Sequence, residues 1–145
     1  MMKSKTEELS PRPLSLSIRR GMAGNCPHCG KGKIFGRYLK VLPECAVCHE
    51  DLSPQRADDL PAYVVLFIVG HIVIGGMMTV ETYWEWPVSW HIILWPILTL
   101  ILSLTLLPRV KGAIISLQWA LRMHGFVTPR DRNTPKFPNA QEVVP

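Results

Sequence analysis

Two stretches of about 20 residues carry no charge, and nothing else in this chain narrows its fold as much. Residues 61–80 read PAYVVLFIVGHIVIGGMMTV and residues 87–107 read PVSWHIILWPILTLILSLTLL. As helices rising about 1.5 Å per residue, each is about 30 Å long, the thickness of a bilayer's hydrocarbon core. A buried helical hairpin in a soluble domain would need covering on every side. A 145-residue chain has too little left for that. Tyr83, Trp84, Trp86 and Trp90 cluster around the connection, as an interfacial aromatic belt does. The expected fold is therefore a membrane protein, mainly α, with a two-span transmembrane helical hairpin over residues 58–108. Asp58 and Asp59 before Pro61 supply a helix-start signal.

The basic residues orient this hairpin. Lys3, Lys5, Arg12, Arg19, Arg20, Lys31, Lys33, Arg37, Lys40 and Arg56 precede the first span, and six more Lys and Arg follow the second. The loop between them has none and holds Glu81 and Glu85. The positive-inside rule then predicts a multi-pass protein with both termini cytoplasmic and the loop outside. Residues 1–20 contain no apolar core of the kind a secretory signal needs. They are expected to be a disordered cytoplasmic N-terminus.

The strongest chemical signal lies at residues 21–57. Cys26-Pro27-His28-Cys29 and Cys45-Ala46-Val47-Cys48 form two CxxC pairs separated by 15 residues. Each pair can hold one edge of a metal, and the gap suits a short hairpin over residues 34–42 (IFGRYLKVL). In a reducing compartment disulfides are disfavoured. Cys26, Cys29, Cys45 and Cys48 are thus expected to hold one structural zinc ion in a zinc-ribbon-like module. A rubredoxin-like iron site and a redox-active dithiol are the other metal and thiol readings. Cys45 to His49 also match the c-type haem pattern CxxCH, but that attachment needs an exported location and would strand the first pair.

After Pro108, residues 109–125 resume a helical pattern. Lys111, Gln118 and Arg122 form one narrow stripe, and Val110, Ile114, Leu117 and Leu121 share another side. The expectation is an amphipathic interfacial helix lying along the inner surface, with Trp119 at the headgroups and Gly125 as its C-cap. Residues 126–145 hold Pro129, Pro135, Pro138 and Pro145 and are expected to be a flexible tail.

Taken together, the CPHCG knuckle, the second CxxC, residues 58–62 (DLPA after Asp58), the VVLFIVGHIVIG span, LPRVKG at 107–112 and ISLQW at 115–119 resemble the bacterial domain of unknown function 983 family. The resemblance covers residues 20–125. Leu60 departs from the small residue expected there. The resemblance implies a small bacterial inner-membrane protein of unestablished activity, with a link to the biogenesis of respiratory complexes, cytochrome c oxidase in particular.

Several other residues invite a role. His71 lies near the middle of the first span, where an ionisable group is costly. Thr99 lies at a similar depth, with Ser103 one turn deeper, so a hydrogen bond from His71 to the second helix is the simplest expectation. A role in haem, copper or proton handling is the alternative. Glu81, Glu85 and His91 gather at the outer boundary and read as a solvated loop or a weak metal site. Gly70, Gly75 and Gly76 permit close helix approach, between the spans or in a homodimer. Lys31, Lys33, Arg37 and Lys40, interleaved with Phe35 and Tyr38, resemble a nucleic-acid surface, but so close to a bilayer they suit lipid or protein contact better.

No nucleophile motif, phosphate loop or HExxH is present, and a four-cysteine zinc site leaves no position for water. An enzyme is not expected. The reading is an interaction or assembly factor anchored in the membrane, partnered by lipid and by a membrane protein or a second copy. The alternative is a metal- or haem-handling protein using His71, His91 and labile thiols.

Overall fold

The computed structural model describes residues 12–126. Its elements are α1 (Leu14–Met22), β1 (Phe35–Arg37), β2 (Lys40–Val41), α2 (Leu60–Tyr83) and α3 (Val88–Ala120). The architecture is mainly helical, with a small cysteine-bearing hairpin module between α1 and α2.

Both α2 and α3 are long and apolar enough to cross a membrane. Their outer surfaces are apolar all round, with Leu66, Phe67, Ile74, Ile92, Ile97 and Leu100 each more than half exposed. Such a helix is stable only in an apolar surround. Residues 84–87 join the two helices, which pack together where the Trp95 ring lies over Gly76. Pro61 stands in the first turn of α2, where its missing N–H costs nothing.

Two expectations are corrected here. Residues 14–22, placed by the sequence reading in a disordered N-terminus, form α1. The physical reason lies in its partner. Ser17 and Gly21 of α1 and Gly112 and Ser116 of α3 are all buried, and Gly21 lies against Gly112 and Ser116. A Cβ on Gly21 would sit closer than 3.0 Å to the Gly112 carbonyl and the Ser116 side chain, and one on Gly112 closer than 3.0 Å to the Gly21 backbone. Small residues one turn apart on both helices let the backbones touch. The remaining N-terminal residues, 1–11, lie outside the described residues.

The second correction concerns Pro108. It does not end the helix: α3 runs unbroken from Val88 to Ala120, with Pro96 and Pro108 inside it. In a helix the N–H of residue 108 would bond the carbonyl of residue 104. Proline has no N–H, and the carbonyl is left unpaired. The Tyr38 hydroxyl, at the tip of the β1–β2 hairpin, donates to that Leu104 carbonyl at 2.7 Å. A separate interfacial helix over 109–125 therefore does not form.

The length of α3 has a consequence. Its 33 residues span about 50 Å, roughly 20 Å more than a hydrocarbon core. The extra turns carry Ile114, Ile115 and Trp119 into a shared core with Ile34, Leu52, Ala57 and Phe126. Burying each large apolar side chain contributes roughly 1.5–3 kcal/mol. Trp119, expected among headgroups, is only 3% exposed. Gln118, expected on a solvent stripe, is buried, donates to the Arg56 carbonyl at 2.7 Å and accepts from the Arg56 N–H at 3.0 Å. Phe126, placed at the start of the flexible tail, closes this core, and residues 127–145 lie outside the described residues.

Candidate metal centre

Each CxxC pair sits in a tight turn closed by backbone bonds. At the first, Gly30 N–H donates to the Cys26 carbonyl at 2.9 Å and Cys26 N–H to the Gly32 carbonyl at 2.7 Å. At the second, His49 N–H donates to the Cys45 carbonyl and Cys45 N–H to the Glu50 carbonyl, both at 3.0 Å. The residue after each second cysteine turns left-handed: Gly30 at φ +71° and His49 at φ +57°. Glycine takes that conformation at no cost. His49 takes it with its ring held against the Glu44 carboxylate. Antiparallel bridges from Asn25 to Lys33 and from Glu44 to Asp51 close the base of each knuckle.

These turns bring the four sulfurs together. All four Sγ atoms lie within 4.8 Å of one another. Cys26 Sγ is 3.7 Å from Cys48 Sγ, and Cys29 Sγ is 3.8 Å from Cys45 Sγ. A tetrahedron with zinc–sulfur bonds of about 2.3 Å has sulfur–sulfur edges of about 3.8 Å. The cluster fits that geometry, and its all-thiolate donor set suits zinc or iron. Two of the four thiols are fully buried at the residue level and two are half-buried. Gly32 is required beside them, because a Cβ there would fall closer than 3.0 Å to Cys45 Sγ.

Backbone dipoles prepare the thiolates. Burial raises the Cys29 thiol, but the N–H groups of Gly32 and Lys31, at 3.5 Å and 3.4 Å from its sulfur, together with the Cys48 and Cys45 thiols, outweigh it and bring it down to about 6. Burial pushes the Cys26 and Cys48 thiols up. A bound cation reverses that burial cost, because a coordinated thiol is deprotonated outright. With all four cysteines in one cluster, Cys45 and Cys48 are already committed to the sulfurs of the first pair. That arrangement favours one shared four-sulfur site over separate use of the second pair as a CxxCH haem attachment.

The module is fastened to α3 through a buried polar group. Trp119 Nε1 donates to Glu50 Oε1 at 2.8 Å, one residue beyond His49 in the second knuckle. The Arg12 guanidinium lies 4.2 Å over the Trp119 ring, donates to the Trp119 carbonyl at 2.6 Å and stands 3.9 Å from Glu50. His28 of the first knuckle packs 5.8 Å from the same ring. Both knuckles therefore contact one tryptophan at the end of α3.

The candidates on α2 and α3 do not assemble. His71 is exposed on α2, with Nδ1 donating to the Phe67 carbonyl at 2.8 Å and its ring 4.2 Å from that of Phe67. Thr99 donates to its own helix at the Trp95 carbonyl, 2.7 Å away, and Ser103 is half-buried. The expected bond from His71 to the second helix is not formed, because His71 faces away from α3. His91 is held differently: its Nδ1 accepts from Trp95 Nε1 at 2.9 Å, and Nε2 lies 3.8 Å from Glu81. An indole N–H can only donate, so Nδ1 must be the unprotonated nitrogen and Nε2 carries the proton. That tautomer offers no lone pair to a metal. Glu85 is exposed. Among the described residues, the four cysteines are the one cluster with metal-ligand geometry.

Sequence reasoning read Tyr38 only as part of a basic surface and passed over its bond to Leu104, the Glu50–Trp119 bond, the crowding of Gly32 against Cys45 and the Gly21–Gly112 contact. One signal was present: a proline inside a helical pattern leaves the carbonyl four residues earlier in need of a donor. Another was the matched spacing of Ser17 with Gly21 and Gly112 with Ser116.

A family model described as protein of unknown function (DUF983) matches residues 35–119, more than half of the chain. The match runs from β1 to the last turn of α3 and includes Cys45 and Cys48, while Cys26 and Cys29 precede it. No curated protein and no solved structure matches the chain.

Proposed function

The chain belongs to the DUF983 family, and on that premise we propose that it is a bacterial inner-membrane protein in which a zinc-held module and the end of α3 form one cytoplasmic docking platform. In this reading α2 and α3 cross the bilayer as a hairpin, and both termini and the cysteines lie on the cytoplasmic side. The Lys and Arg distribution around the spans supports that orientation. Cys26, Cys29, Cys45 and Cys48 hold one zinc ion. Four thiolates fill its coordination, so the ion supplies a cross-link between the two knuckles and no water-activating position.

The observation that carries the reading is the shared core. Ile34 and Leu52 of the metal module pack with Ile114, Ile115 and Trp119 of α3, beyond the apolar part of the helix. Metal binding therefore organises a surface that α3 holds at a set height above the membrane. A platform of that kind suits an interaction or assembly role toward a membrane protein partner or a second copy of the chain. Respiratory complexes such as cytochrome c oxidase are the class that the family resemblance suggests. His71 adds a point of contact within the bilayer: its Nδ1 proton is used, and Nε2 remains an acceptor on the exposed face of α2.

The experiment is crosslinking from native membranes followed by identification of captured proteins, with the wild type and Cys29→Ser compared. The expected outcome is a defined set of membrane partners that is lost with the zinc. If the variant lacks zinc yet captures the same partners, the platform reading fails.

A further inference from the structure

The loop end of the two long helices holds a buried histidine that the proposed function does not use. His91 lies near the start of α3, and its side chain is only 11% exposed. The rings of Trp86 and Trp95 stand 6.3 Å and 6.4 Å from its own. Its Nδ1 accepts from Trp95 Nε1 at 2.9 Å. Its Nε2, which carries the proton of the neutral ring, is buried and has no hydrogen-bond partner among the described residues. The Glu81 carboxylate of α2 stands 3.8 Å from that nitrogen, too far for a hydrogen bond.

A ring held in this way has two exclusive states. An imidazole already protonated at Nε2 can take a second proton only at Nδ1. Nδ1 is the atom that holds the Trp95 indole, and an indole N–H can only donate. A charged His91 and the Trp95 bond therefore exclude one another. Turning the ring over changes nothing, because both nitrogens of the charged form are donors. Glu81 is the partner at hand for the charged ring, since it already faces the unpartnered Nε2. Tyr83 at the end of α2 and Glu85 in the connection are exposed, and α3 has no charged side chain before Arg109. No Lys or Arg occurs from Leu60 to Pro108, so no cation of this segment competes for Glu81. The Trp95 ring is also a contact between the helices. A Cβ on Gly76 of α2 would lie 3.0 Å and 3.1 Å from two of its carbons, so the ring rests directly on that backbone.

We infer that His91, Trp95 and Glu81 form a proton-operated latch at the loop end of the helical pair: neutral His91 holds the Trp95 indole over Gly76, and protonated His91 releases it and pairs with Glu81. One proton thus exchanges an apolar contact between α2 and α3 for an ion pair between them. The change is confined to the loop end, because the other end of α3 is fixed in the core it shares with the metal module. The inference rests on the reading that α2 and α3 cross the bilayer. With the loop outside, the latch answers to acidity on the face away from the cysteines.

The test follows the indole N–H signals of the full chain in bicelles, with labelled tryptophan, from about pH 8 to about pH 5, the range in which histidine charges. Trp95→Phe identifies the Trp95 signal, and the exposed Trp90 indole is the internal reference. At the alkaline end Trp95 should exchange with solvent about fivefold more slowly than Trp90, the effect of one hydrogen bond, and at the acid end that ratio should fall to about one. His91→Gln keeps an acceptor for the indole but has no nitrogen to titrate, so its ratio should hold across the range. Glu81→Gln should keep most of the protection at the acid end, because the charged ring then has no carboxylate to pair with. Zinc content and helicity, measured on each variant, confirm that the fold is intact. A wild-type ratio that does not change with pH overturns the latch, as does an acid loss that persists in His91→Gln. An undiminished acid loss in Glu81→Gln overturns the pairing with Glu81. These spectra read the same bond whichever side the loop faces, so a reversed topology leaves the latch standing. A protein that stays soluble without detergent overturns the membrane reading itself.

Discussion

Replacing Tyr38 by Phe removes one oxygen atom and leaves the ring in place, which isolates a single interaction. That oxygen donates the bond that Pro108 cannot give to the Leu104 carbonyl. Without it the carbonyl has no helical donor. Leaving a buried acceptor unpaired costs about 1–3 kcal/mol. Tyr38 is 57% exposed, and water at the interface replaces part of the loss, so the lower end, about 1 kcal/mol, applies. The effect should be local. Hydrogen–deuterium exchange in bicelles should show protection in the α3 turns around Pro108 falling about fivefold, with the outer turns of α2 and α3 unchanged. Pro108→Ala supplies the missing N–H and should raise protection there. In that background Tyr38→Phe should cost nearly nothing, giving a coupling energy of about 1 kcal/mol in a double-mutant cycle. Equal losses in both backgrounds would refute the argument, because the hydroxyl would then not be standing in for the proline's absent proton.

Four further outcomes are expected. Gly32→Ala should lower zinc stoichiometry from one per chain toward that of Cys29→Ser, since its Cβ would collide with Cys45 Sγ; elemental analysis of freshly purified protein measures this. Gly112→Ala should separate α1 from α3 and cost about 1–3 kcal/mol or more, seen as protease cleavage near Met22, whereas Ala113→Gly should not open that site. Zinc release to a chelator should accelerate as pH falls, because each thiolate must take a proton to leave the ion. Reporter fusions at residue 85 and after residue 126 should read opposite sides of the membrane; equal readings would remove the proposed topology.

A metal ion held by the four cysteines would be linked to α3 through Trp119. The second knuckle ends at Glu50, which accepts from the Trp119 indole, and Arg12 covers the other face of that ring. Losing the ion would free Glu50 and His28 from their places against α3. The apolar contacts of Ile34 and Leu52 depend on the same hairpin geometry. Loss of zinc should thus be felt at the end of α3, while the uncharged parts of α2 and α3 have no contact with the cysteines through which to respond.

How much of this was legible beforehand depends on the range of the interaction involved. The two apolar helices could be read from composition alone, because length and apolar content are properties of each segment by itself. The four-cysteine cluster could be read from spacing, because each CxxC turn is a local structure and only one closure step joins the pairs. Locally, a proline followed by Arg109 and Lys111 predicts a break; the helix continues because Tyr38, about 70 positions earlier, donates to Leu104. Likewise Lys111 and Gln118 formed a plausible solvent stripe, yet their partners are the backbones of Leu39 and Arg56. Leu14 to Met22 lacked any strong helix signal and became helical because Gly21 could meet Gly112. His71 and Thr99 shared a depth but not a face, and depth is all that counting along a span provides. Chemistry confined to one turn or to one solvent was written in the sequence, and contacts between residues far apart in the chain were decided only when the tertiary structure brought their donors and acceptors together.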